Sequence, residues 1–322
     1  MLFFIAKRDN FSPNCVREGK MKLSSVLMAI FIVACWGLNA SIGKMGVMEV
    51  PPLAFLTIRF IFAGFLFLPF AKLDKSQLKM LFLIALLLNV GHMGCIFVAL
   101  KFLTASSASV LQQCEVPIAA IVACIFAGEK MNVQQIMGII IAFLGILCIF
   151  GIPEINMVGL VAALFSGLFW AFAQLAFKRA KKMDSYSFLA YTSLFSVPFL
   201  GAASYFLEDN HYIALLQAAD YKFYLSMSYQ VLVLGVVMML WQRVVAENGI
   251  NKAIPFTLLH IVFGIMGGMI FFGDTLNVYI VSGALLIVGG VALTILPQID
   301  IKKIWYRLFP HHKPQKNESL PL

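Results

Sequence analysis

The chain has 322 residues, 61% of them hydrophobic and 12% charged. A soluble domain of this size could not cover so much apolar surface, so the composition makes lipid the solvent. The net charge of +9 does not point to nucleic acid, because the lysines and arginines fall between and beyond the apolar runs, where orientation signals lie.

Residues 1–22 form an N-terminal tail. Its apolar start is too short for a signal-peptide core and no small-residue cleavage site follows; Met21 is an alternative start. Ten apolar runs then follow, each long enough to cross a bilayer as a helix: 25–43, 52–71, 78–99, 105–127 and 134–151, then 158–177, 187–206, 226–246, 253–272 and 278–296. The eighth is the weakest, since it carries Tyr229, Gln230, Gln242 and Arg243. A basic tail, 298–322, closes the chain. With the N-terminus inside, the inner segments collect Lys72, Lys75, Lys79, Lys130, Lys178, Arg179, Lys181, Lys182, Arg243 and Lys252 besides the two basic tails, and the outer ones hold Lys44, Lys101 and Lys222. Both termini are therefore expected in the cytoplasm.

The chain repeats itself. Gly128, Glu129, Asn132, Val133, Gly138 and Gly145 match Gly273, Asp274, Asn277, Val278, Gly283 and Gly290 at one constant offset, and Trp36 to Lys44 matches Trp170 to Lys178. Residues 23–152 and 153–297 thus read as two halves of five spans each. Five is odd, so the second half enters the membrane from the opposite face. The expected fold is an all-α polytopic membrane protein of ten helices in two inverted repeats, an architecture that lets one packing rock between two open states about a midplane site.

In the frame of the repeat, Glu115 falls on His260. A carboxylate in the middle of the fourth span is costly when it faces lipid, so it faces a cavity or is neutral. There it could bind an ammonium group, carry a proton, or bond to a neighbouring helix. His260 could be a proton site, a substrate contact or a satisfied core histidine; His92 stands alone and reads as structural. Arg59, early in the second span, could snorkel to the outer interface, meet a substrate carboxylate or pair with Glu115. Trp36, Asn39, Gln112, Gln113, Trp170, Gln174, Trp241 and Gln242 are amphipathic or polar residues in apolar runs. As a set on the first, fourth and sixth spans they suit a pocket for a small polar molecule; singly they suit interfacial anchoring or interhelical bonds. Pro117 and Pro255 should kink their spans. Gly128 and Gly273 mark tight turns, and Glu129 and Asp274 should cap the following helices through Asn132 and Asn277 or through the helix dipole. Gly138, Gly145, Gly283, Gly289 and Gly290 allow close helix contact. The six cysteines show no ligand spacing and read as small hydrophobes, and the methionines from Met227 to Met269 read as packing. No zinc, nucleotide or nucleophile motif is present, so neither enzyme activity, metal nor cofactor is expected.

Cys35-Trp36-Gly37-Leu38-Asn39, Pro51-Pro52 with Arg59-Phe60, the Gly128-Glu129 turn and the Trp241…Pro255 stretch resemble the EamA-type transporters of the drug/metabolite transporter superfamily, over roughly residues 23–296. The resemblance implies ten helices in two inverted halves and a bacterial inner-membrane carrier, often an exporter of amino acids or related metabolites. The chain departs from the commoner pattern at Glu115, where a small or apolar residue is usual, and at Asp274, where glutamate is more frequent. The expected function is secondary transport of a small polar metabolite, an amino acid or derivative, in the export direction. Trp36, Gln112, Glu115, Trp170, Trp241 and His260 would contact substrate, and Glu115 would couple to a proton. The alternatives are uptake or exchange of a larger or cationic metabolite such as a nucleoside-like compound, and a membrane scaffold or receptor without flux.

Overall fold

The computed structural model describes residues 21–72, 74–151, 155–180, 183–208, 219–249 and 253–295. The tails and most of the loop after residue 208, with Lys181, Lys182 and Lys252, lie outside them. Among the described residues nine helices are long and apolar enough to cross a membrane: α1 (Leu23–Glu49), α2 (Pro52–Phe70), α3 (Lys75–Phe102), α4 (Ala105–Ala127), α5 (Val133–Phe150), α6 (Met157–Arg179), α7 (Ser185–Leu207), α8 (Tyr221–Asn248) and α10 (Val278–Ile295). The shorter apolar helix α9 (Phe256–Phe272) completes the second set of five.

Local sequence sets the ends. Pro52 opens α2 at its first turn, where its missing N–H costs nothing. Asn156 and Asp184 accept backbone N–H groups at the starts of α6 and α7. Asn132 accepts from Gln135 N at 2.8 Å while Gln135 Oε1 accepts from Asn132 N at 3.0 Å, a complete capping box at α5. Asn277 Oδ1 accepts from Ile280 N at 2.9 Å at α10. Gly128 and Gly273 end α4 and α9 with φ of 66° and 64°, the left-handed region that favours glycine. The two acids beside them do not cap α5 and α10 as expected, because the asparagines already hold those N–H groups. Glu129 instead pairs with Lys178, and Asp274 Oδ2 accepts from Ser106 N at 2.9 Å. Both bonds join one half to the other.

The repeats pack mainly against each other. The most extensive contacts are α5 with α10, α2 with α7, α3 with α6 and α1 with α9, followed by α4 with α6 and α1 with α8; each falls on itself or on another of the set under a pseudo-twofold axis in the membrane plane. At α5–α10 the approach is backbone to backbone: a Cβ on Gly290 would stand 2.4 Å from Gly138 O, and one on Gly145 would stand 2.8 Å from Gly283 O. In lipid, contact rather than hydrophobic burial drives helix association, so these glycines set the crossing. The other face of α5 presents Val133, Ile136, Met137, Ile140, Leu144 and Leu147 outward, at helical spacing, as a lipid-facing stripe does.

Two irregularities recur at matching places. α4 breaks at Gln113–Cys114 before resuming at Glu115. Pro117 has no N–H for Gln113 O, and the bonds there tighten to Gln113 N→Val110 O and Cys114 N→Leu111 O. α9 opens as a tight helical turn over Ile254–Leu258 and becomes α-helical at Leu259. The third helices of the two halves, α3 and α8, each widen into a π-helix, Ala85–Met93 and Tyr229–Val233. The periodicity of the sequence carries no sign of either.

Candidate functional site

A cavity of about 320 Å³ lies between the repeats. It reaches from Trp36 and Asn39, mid-way along α1, to Phe67 late in α2, Phe177 near the end of α6, Phe188 early in α7 and Gln242 late in α8. Phe67, Phe177, Phe188 and Gln242 lie toward the end of the bundle where α1 begins, so that end carries the mouth.

The opposite end is tied shut by bonds within the first repeat and across the two. Lys44 Nζ donates to Leu103 O and lies 5.7 Å from the Phe272 ring centroid. Asp274 holds Ser106 N. Ser226 Oγ donates to Ile42 O at 2.6 Å, and Glu208 accepts from Leu53 N and Ala54 N at 2.8 and 3.0 Å, a carboxylate on a helix N-terminus.

The irregular helices supply the polar lining. From α4, on either side of the break, come Gln112, Gln113 and Glu115; from the π-helix of α3 come Asn89 and His92; from that of α8 comes Gln230. π-bulges shift register and put residues where a regular helix would not. His260 enters from α9, its Nδ1 3.1 Å from Gln113 Nε2. Gln230 Nε2 donates to Asn39 Oδ1 at 2.6 Å, and Gln230 Oε1 is buried without a partner. Trp36 meets Trp241 edge to face with centroids 5.1 Å apart, and Trp170 joins the lining from α6.

Glu115 is 9% exposed. Its Oε1 has no hydrogen bond but lies 3.5 Å from His92 Nδ1. His92 Nδ1 is also 2.9 Å from Ser166 Oγ and 3.3 Å from Ser166 O. Arg59 does not snorkel and does not pair with Glu115. It lines the cavity, with Nη1 3.9 Å from Met93 Sδ and its guanidinium 5.1 and 5.8 Å from the Phe60 and Phe97 ring centroids. No carboxylate reaches it within ion-pair distance among the described residues.

The structure thus gathers Trp36, Asn39, Arg59, Gln112, Glu115, Trp170, Trp241 and His260 in one chamber. Gln174 is buried but does not line it. His92, which reads in sequence as structural, touches the central carboxyl. Asn89 and His92, three residues apart in an apolar run, were the available signal for the polar face of α3. Among the described residues no group of three His, Cys, Asp or Glu side chains stands where it could hold a metal ion.

The EamA-like transporter family matches the chain over residues 23–151 and 157–296. The chain belongs to this family. Its EamA-like relatives include a probable amino-acid metabolite efflux pump of Salmonella typhimurium, 24% identical over 83% of this chain and 93% of that one. One of the same description from Escherichia coli is 23% identical over 84% and 94%. An uncharacterized transporter of Bacillus subtilis is 26% identical over 84% and 92%. A solved crystal structure with 14% identity superposes with a TM-score of 0.58 over 84% of this chain and 95% of its own, a likeness of fold. The protein is a multi-pass inner-membrane transporter of the EamA-like family, and a transporter implies a small-molecule substrate.

Proposed function

We propose that the chain is a secondary transporter that exports a small zwitterionic metabolite, an amino acid or derivative, by alternating access at this cavity. The observation that carries the reading is the pair of opposite charges left apart in one chamber: Arg59 without an acid and Glu115 Oε1 without a hydrogen bond. A buried group without a partner is costly, and a substrate bearing one carboxylate and one ammonium supplies both partners at once. Gln230 Oε1, buried and unpartnered, adds an acceptor for an ammonium N–H. Trp36, Trp170 and Trp241 offer flat apolar walls for the rest of the molecule. A cavity of about 320 Å³ suits a ligand of amino-acid size. The export direction is supported by the description of two relatives as efflux pumps. With both termini cytoplasmic, as the Lys and Arg positions favour, the open mouth faces the cytoplasm, the side from which an exporter loads. This reading assigns no catalysis and no nucleic-acid partner.

The competing reading, a cationic or nucleoside-like substrate, finds support in Glu115 and none in Arg59. Counterflow into liposomes separates them. Full-length protein should exchange labelled L-phenylalanine or L-leucine and leave labelled uridine and a quaternary ammonium dye untouched. Exchange of the dye or uridine alone would overturn the amino-acid assignment. No flux for any of them, with the protein folded, would favour a scaffold.

A further inference from the structure

One hydrogen at His92 faces three acceptors. Ser166 O can only accept, so its contact with Nδ1 at 3.3 Å requires the hydrogen on Nδ1. Ser166 Oγ at 2.9 Å and Glu115 Oε1 at 3.5 Å stand within reach of the same hydrogen. A single N–H cannot satisfy all three, and Glu115 Oε1 is the one left without a bond. The π-helix of α3 puts His92 there, and Gly167 lets α6 carry Ser166 close against α4, since a Cβ on Gly167 would stand 2.9 Å from Ile118 Cδ1.

We propose that His92 is the positioning residue of a proton site at Glu115, swinging its Nδ1–H between Ser166 and the carboxylate according to whether Glu115 holds a proton. This rests on the carrier reading for its purpose, since a proton and a substrate ammonium would be alternatives at one carboxylate. A hydronium ion at the mouth gives up one O–H bond and becomes water as Glu115 gains one, and the substrate ammonium leaves with its own bonds unchanged. Loading substrate returns that proton to water. The other ionisable groups around the site are Arg59 from α2, His260 from α9, held by Gln113, and Cys114 beside Glu115 in α4. α6 offers none facing it before Lys178 and Arg179 at its end, where Lys178 is taken by Glu129. Sequence symmetry pairs Glu115 with His260; the contact made is with His92.

The test is pH-difference infrared spectroscopy of the full chain in lipid nanodiscs without substrate, following the carboxylic C=O band that Glu115→Gln removes. His92→Gln should move the midpoint of that band by about one pH unit or more, as expected for directly interacting groups, and His260→Gln should leave it in place. Ser166→Ala, a small change in a helix, should also move it, and decides the matter if His92→Gln does not fold. No band lost in Glu115→Gln, a midpoint indifferent to His92→Gln and Ser166→Ala, or an equal shift in His260→Gln would each overturn the assignment. Absence of amino-acid counterflow with these band shifts intact would remove the carrier reading alone.

Discussion

Arg59 is the residue whose role changes most between sequence and structure. Near the start of its span a snorkelling arginine is the ordinary expectation, yet α2 packs on α7 and turns the guanidinium inward, onto Phe60 and Phe97. If it holds a substrate carboxylate, Arg59→Gln loses a charge-assisted bond of roughly 1.5–3 kcal/mol. That corresponds to a KM for counterflow about ten- to a hundredfold higher with the fold intact; an unchanged KM would mean that the substrate carries no anion there. Glu115→Gln should abolish exchange, or its dependence on pH, without unfolding the protein, as measured by counterflow and circular dichroism. Gln174 shows how a polar residue in an apolar run misleads. Trp170 and Phe177 both line the cavity, and seven residues are nearly two whole turns, so they share one azimuth. Gln174 lies about 40° off that line, enough to turn it into the bundle, and spacing alone does not say which azimuth faces the chamber.

At the scale of helices, what was legible is what sterics repeat. The glycines at equal spacing in α5 and α10 announced a close crossing, and they interlock at 2.4 Å for a hypothetical Cβ on Gly290. Gly290→Leu should therefore force the pair apart and destabilise the protein by about 1–3 kcal/mol, seen as a lower unfolding temperature in detergent. Gly289, next to it, has open space around its Cβ position, and Gly289→Ala should leave that temperature unchanged. Pro117 likewise announced the break in α4. What stayed hidden were the π-helices of α3 and α8, because widening a helix changes register without any residue type that demands it. The contact of His92 with Glu115 hangs on that shift, so a regular helical wheel drawn on α3 could not have found it. The acids Glu129 and Asp274 depart from the capping expectation for a different reason: the asparagines three residues on are better caps, which frees the carboxylates to reach the other repeat.

Across the whole molecule the two ends are built alike and differ in strength. Lys178 with Glu129 and Lys44 near Asp274 are repeat mates. The first pair is 45% and 38% exposed in its side chains, and such pairs contribute at most about 1 kcal/mol, so Glu129→Gln should hardly change stability or flux. Lys44 is half-buried and bonded to Leu103 O, and Asp274 carries Ser106 N. Asp274→Asn should loosen that closed end, and a cysteine at Asn39 in a cysteine-free background should then react faster with a membrane-impermeant maleimide added from the periplasmic side. An unaltered rate would remove these contacts as the seal.

The α5–α10 crossing contributes no residue to the chamber wall, although it is the tightest junction between the halves. It is placed to be the axle of the machine: the part that stays still while everything around it tilts. A covalent staple there would leave turnover running, whereas the same staple between α1 and α9 at the sealed end would freeze the carrier in the posture described above.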